Sequence, residues 1–142
     1  MMVSGSQFLV YRMKTIKNFT DLDAWQKAHE LKVVILKLLP EFPQSYQYGL
    51  CAQLQRSAIS AASNIAEGFG RSSHKEKLNF YNYAKGSLTE VQDQLILCAD
   101  LKLIDKQTFI ELTERSINVH KLINGLRRYL RETSNEKRAT NV

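Results

Sequence analysis

Three groups of residues in this chain have the types and spacing to do chemistry. The first is a late cationic stretch, Arg115, Lys121, Arg127, Arg128 and Arg131, from end to end of which no Asp or Glu occurs. Cations without neighbouring carboxylates can neutralise phosphates, and the affinity so gained falls with salt as counterions are displaced. The second is Lys75 and Lys77, followed by Phe80, Tyr81, Tyr83 and Lys85. Aromatic faces interleaved with cations can stack on unpaired bases. The third is Arg56, Ser60, Asn64, Glu67 and Arg71. On a helix Ser60 precedes Asn64, Ser63 precedes Glu67 and Glu67 precedes Arg71 by the four-residue step that brings side chains together. Such a set must be hydrogen-bonded or exposed, because an unpaired buried amide or carboxylate is costly. It reads as a structural polar clamp between two helices or two subunits.

Each group has a plainer reading. Basic residues late in a helix complement its dipole and stay solvated, and aromatics at helical spacing are core. For Lys75 to Lys85 that plainer reading is the stronger. Arg115 and His120 also fit the arginine, four residues, histidine spacing of the all-helical HEPN ribonucleases, where such a pair acts on the scissile phosphate and the 2′-hydroxyl. On one helix, however, they flank the apolar seam from opposite edges. His29, His74 and His120 fall in three different helical segments without ligand spacing, and no Glu-x-x-His pair occurs. There is no phosphate-binding glycine loop and no nucleophile motif. The expectation is a protein that is not an enzyme and needs no metal or cofactor.

These residues must be positioned by a small helical domain. At 142 residues, 44% hydrophobic and 24% charged, the chain is of a size and composition for one globular domain with a real core. A formal charge of +6 and a pI near 9.4 suit an anionic partner. Cys51 and Cys98 are the only cysteines and lie in apolar-periodic segments, as buried thiols of a reducing compartment do. No apolar run approaches the roughly 18 residues of a membrane helix. The longest such run near the start, Phe8-Leu9-Val10-Tyr11, is too short for a secretory signal core. A cytoplasmic location without membrane contact is expected.

Apolar periodicity marks four helices. Thr20 with Asp23 offers a short capping box for the first, whose seam of Leu22, Trp25, Ala28, Leu31, Ile35 and Leu38 runs to Pro40. The second runs from about Tyr46 to Phe69 with a small-residue face (Leu54, Ala58, Ala61, Ile65, Phe69), and Gly68 and Gly70 should end it. Ser73 and Glu76 box the third, with the seam Tyr81, Ala84, Leu88, Val91, Leu95 and Cys98. Gly86 sits within that helix, and the expectation is that it leaves room for the alanine face of the second. Asp105 caps the fourth, whose seam is Phe109, Leu112, Ser116, Val119, Ile123, Leu126 and Leu130. The fold class is therefore all-α: an antiparallel up-down-up-down four-helix bundle over residues 19–131. Residues 1–18 should be a poorly ordered basic extension and 132–142 a frayed polar tail.

The phrase Ser63-Asn64-Ile65-Ala66-Glu67-Gly68-Phe69-Gly70-Arg71 resembles the signature of the bacterial four-helix-bundle proteins encoded in intervening sequences of 23S rRNA genes. Their superfamily includes the accessory variability determinant of diversity-generating retroelements. Further landmarks are Phe19, Asp21, Leu22, Trp25, Gln26, Lys27 and Ala28; Phe42-Pro43; Tyr48-Gly49-Leu50 with Gln53-Leu54; and Ala84, Gly86-Ser87-Leu88 and Glu90. The likeness spans about residues 19–104. It implies a bundle that self-associates, characteristically as a homopentamer, with a basic surface suited to RNA or DNA. In the retroelement branch it implies a reverse transcriptase partner. No catalytic residues come with it. The chain departs from the pattern at Ala62, where proline is frequent, at Tyr46 (glutamate), Gln55 (a second arginine) and Lys102 (glycine). The function expected is nucleic-acid or nucleoprotein binding by an oligomer. The alternatives are a ribonuclease using Arg115 and His120, and a purely structural protein–protein interaction module.

Overall fold

The computed structural model describes residues 15–140. Its four long helices are α1 (Asp23–Leu38), α2 (Ala52–Gly70), α3 (His74–Asp100) and α4 (Lys106–Thr140), and no strand occurs among the described residues. Three-residue 3₁₀ turns precede α1 and link α1 to α2, and a π-helical turn, Gln47–Cys51, runs directly into α2. The Gln47 amide donates to the carbonyls of Leu39 (3.0 Å) and Phe42 (2.9 Å), which ties this connection to the end of α1.

The periodic seams form the core. Tyr81, Ala84, Leu88, Val91, Leu95 and Cys98 of α3 are all buried, as are Leu112, Ser116, Val119, Ile123 and Leu130 of α4. Fully burying one such aliphatic side chain contributes about 1.5–3 kcal/mol. Trp25, Leu38, Phe109 and Leu126 lie half-buried around that core. Polar contacts give the helix directions. Ser57 meets Glu90, Ser60 meets Ser87 and Gly68 meets Tyr81, so α3 runs opposite to α2. Gln92 meets Ser116, Asn82 meets Arg127 and His74 meets Thr133, so α4 runs opposite to α3. With α1 packed on both α2 and α4, the four helices close a ring.

The helix ends depart from the sequence reading. Asn18, not Thr20, is the cap: its side chain accepts from Thr20 N (2.8 Å), while the Asp21 carboxylate accepts from Asn18 N (3.2 Å) and Lys17 N (2.9 Å). Asp21 stands three residues after Asn18, which completes the box one turn early and inserts a 3₁₀ turn before α1. Lys17 and Asn18 are therefore held by the fold, and residues 1–14 of the expected extension lie outside the described residues. Ser73 and Asp105 cap as read: Ser73 Oγ accepts from Glu76 N (3.1 Å) and Asp105 Oδ1 from Thr108 N (2.7 Å). The Thr108 bonds hold the Asp105 carboxyl below its usual range. The fourth helix does not stop at 131 but continues to Thr140.

The two glycine expectations change places. Neither Gly68 nor Gly70 takes a positive φ, and α2 ends where Arg71 turns extended. Gly68 is instead the close-approach residue: a Cβ there would stand 2.6 Å from Cε1 of the buried Tyr81 ring. Gly86 is exposed, and a Cβ there would meet no neighbouring group within 4 Å. The left-handed position falls at Lys102 (φ 58°). Leu103 N donates to Cys98 O (2.9 Å) and Lys102 N to Ala99 O (3.0 Å), the paired closure that glycine usually makes after a helix.

Candidate nucleic-acid interface

The α2–α3 seam accounts for the third group of residues, and it divides them. Ser60 Oγ lies 2.8 Å from Ser87 Oγ, and the Asn64 amide donates to Ser60 O (2.9 Å) and Ser60 Oγ (3.0 Å). The Asn64 bonds stay within α2 and steady the Ser60 hydroxyl, while Ser60 joins the two helices. Ser57, absent from the sequence-based set, does the same: it is 2% exposed, and its hydroxyl lies 2.9 Å from both Glu90 Oε2 and Gln53 O. Glu67 and Arg71 form an exposed ion pair at 3.1 Å, one turn apart on the surface. Arg71 also sits 4.4 Å from the centroid of the Phe80 ring. Arg56 is exposed and pairs with no side chain among the described residues.

At the start of α3 the cations separate likewise. Lys77 donates to the carbonyl oxygens of Phe69 (2.5 Å) and Gly68 (3.4 Å), and burial draws its pKa down. It satisfies the orphan carbonyls at the end of α2 and is not an open phosphate contact. Lys75 is exposed. Tyr81 is core, its phenol pushed up to about 12 by burial, whereas Tyr83 is 59% exposed with its ring edge-on to Phe80 at 5.8 Å. The core reading therefore holds for Tyr81 and fails for Tyr83.

On α4, Arg115 donates to Glu111 (3.4 Å) one turn upstream of the acid-free stretch. Lys121 lines a cleft of about 360 Å³ with Leu22, Asp23 and Tyr129, on the α1 side. Arg128 and Arg131 are exposed. Arg127 is half-buried and oriented by two amides: Nε donates to Asn82 Oδ1 of α3 (2.8 Å) and Nη1 to Asn124 Oδ1 (2.9 Å). His120 is half-buried nearby; burial, then Lys85, then Arg127 hold its imidazole below the ordinary histidine range.

Lys85, for which the sequence favoured the plainer reading, thus joins the cations of α4. The available signal was a second acid-free stretch, residues 77–89 of α3, which the antiparallel register lays beside residues 115–131 of α4. Arg115 and His120 do not come together: five residues on one helix rotate about 140°, and the two face different partners. Cys51 and Cys98 are buried free thiols, Cys98 pushed up to about 11 by burial and by Cys51 beside it. Among the described residues no cluster of His, Cys, Asp or Glu could hold a metal, and no helix is long and apolar enough to cross a membrane.

Comparison with known proteins accords with this architecture. The chain is similar to a crystal structure, at 1.70 Å resolution, of a protein of unknown function from the S23 ribosomal protein family of Bacteroides thetaiotaomicron. The TM-score is 0.69 at 22% identity, covering 74% of this chain and 95% of the other, a likeness of fold. No curated protein matches the sequence. The family described as 23S rRNA-intervening sequence protein matches residues 20–125, which takes in α1, α2, α3 and the first half of α4. With the helical signature at Ser63–Arg71 inside that span and an all-helical bundle built around it, the chain belongs to the 23S rRNA-intervening sequence protein family.

Proposed function

We propose that this protein is a non-enzymatic, self-associating bundle that binds nucleic acid, alone or within a nucleoprotein, through the outer face of α3 and α4. One observation carries the reading: two stretches free of carboxylates, 77–89 and 115–131, lie side by side and put Lys85, Arg127 and Arg131 on one flank of a protein of net charge +6, with Arg128 exposed beside them. Long-range attraction of a polyanion follows from such a field. Self-association, as a homopentamer by the family resemblance, is supported by Ile96 (52% exposed), Leu97 (45%) and Ile117 (44%) toward the α3–α4 turn. Repeating the cationic flank around a ring would multiply a modest patch into a strong one. A reverse transcriptase is the protein partner that the retroelement branch suggests, and the cytoplasm is the compartment that the buried thiols suit.

An electrophoretic shift of labelled RNA and DNA across a salt series tests the reading, with mass determination in solution alongside. Binding that weakens steadily with salt, by an oligomer, and without cleavage of the RNA is the expected result. No shift even at low ionic strength would end the nucleic-acid reading, and a strictly monomeric mass would end the self-association.

A further inference from the structure

We infer that the outer edge where α3 meets α4 holds a phosphate group among Lys85, His120 and Arg127, and that the bound anion draws a proton onto His120. Resting on the nucleic-acid reading, this names the contact point and its chemistry. Among the described residues Arg127 donates two hydrogen bonds, and both partners are neutral amides, Asn82 Oδ1 at 2.8 Å and Asn124 Oδ1 at 2.9 Å. Asparagines fix the guanidinium plane without cancelling its charge, and the remaining N–H donors stay available in a fork that matches phosphate. The contrast lies within the same molecule: Arg71 and Arg115 are each matched by a carboxylate, Glu67 at 3.1 Å and Glu111 at 3.4 Å.

The other two groups converge by helical spacing. Lys85 lies one turn after Asn82 on α3, and His120 one turn before Asn124 on α4. The charged groups that act on His120 are Lys85 from α3 and Arg127 from α4, and neither stretch supplies an acid. Burial and the two neighbouring cations disfavour a further positive charge there and hold the imidazole below the ordinary histidine range. A phosphate offsets Lys85 and Arg127 and offers His120 an acceptor. Proton uptake and anion binding then reinforce each other, so affinity rises as pH falls through the imidazole range. Arg127 lies beyond residue 125, where the family match ends, so the site includes a residue that the family comparison does not cover.

The test measures affinity of the full chain for a labelled single-stranded RNA at constant ionic strength, at pH 5.5 and 7.5. In parallel, the His120 ring protons are followed by NMR with inorganic phosphate and with RNA. Wild type should bind about three- to tenfold tighter at the lower pH. His120→Gln should flatten that dependence, His74→Gln should keep it, and Lys85→Gln should weaken binding at both pH values. A His120 pKa raised by both additives assigns a site open to free phosphate; one raised by RNA alone assigns backbone phosphates. RNA binding with no pH dependence, or a His120→Gln protein that keeps the wild-type slope, overturns the inference and leaves the nucleic-acid reading standing. Absence of RNA binding while phosphate still moves His120 overturns the reading and keeps the site; no movement with either additive overturns the site.

Discussion

The two seams that α3 makes with its neighbours are built on opposite plans. Against α2 it closes tightly: Gly68 receives the Tyr81 ring, Ser60 meets Ser87, Ser57 meets Glu90, and Lys77 satisfies the carbonyls that end α2. Every polar group named there has a partner of complementary kind. Against α4 the buried layer is as regular, but the outer edge gathers Lys85, His120 and Arg127 with no counter-ion among the described residues. An arrangement that repels itself contributes little to folding and persists when something else supplies the missing charge. One helix thus serves stability on one side and, on the proposed reading, recognition on the other.

That contrast can be broken experimentally. The largest effect belongs to Gly68→Ala, whose added methyl must displace the buried Tyr81 ring. Overpacking of about 1–3 kcal/mol outweighs a helix-propensity gain of up to about 1 kcal/mol, so urea denaturation should show a net loss of about 1–2 kcal/mol. Gly86→Ala, on the open face of the same pair of helices, should gain about 1 kcal/mol. A gain at both positions would mean that α2 and α3 do not meet through Gly68. Lys102→Gly relieves a left-handed residue after α3 and should raise stability by about 0.5–1 kcal/mol in the same assay. At the α3–α4 edge, Lys85→Gln should raise the melting temperature at low ionic strength, by the equivalent of about 0.5 kcal/mol, with the advantage fading in added salt. A variant less stable than wild type at every salt concentration would remove the self-repulsion from the picture. Smallest is Glu67→Ala: the pair is exposed, so the change should stay below about 0.5 kcal/mol. A larger loss would restore Glu67 to the clamp.

Periodicity made most of this fold readable in advance, because a seam such as Tyr81 to Cys98 carries its own phase and needs no knowledge of its neighbours. What the sequence withheld depends on relations between helices. Gly68 and Gly86 are the same residue type on adjacent helices, and only the packing decides which one is crowded. Lys75 and Lys77 likewise look alike until the end of α2 is placed beside one of them. The pairing that orients Arg127 was hidden for the same reason, since Asn82 and Arg127 are 45 residues apart and only antiparallel register brings them together. The end of α4 escaped differently: residues 132–140 have no apolar stripe, yet Glu132, Glu136, Lys137, Arg138 and Ala139 are good helix formers.

The two thiols add a practical consequence. Cys51 and Cys98 are the only sulfhydryls, both are shut away between the π-helical turn and the end of α3, and both are held in the unreactive protonated form. An alkylating reagent reaches them only when that corner of the molecule parts, so the pace of labelling measures local opening against global unfolding without any engineered reporter.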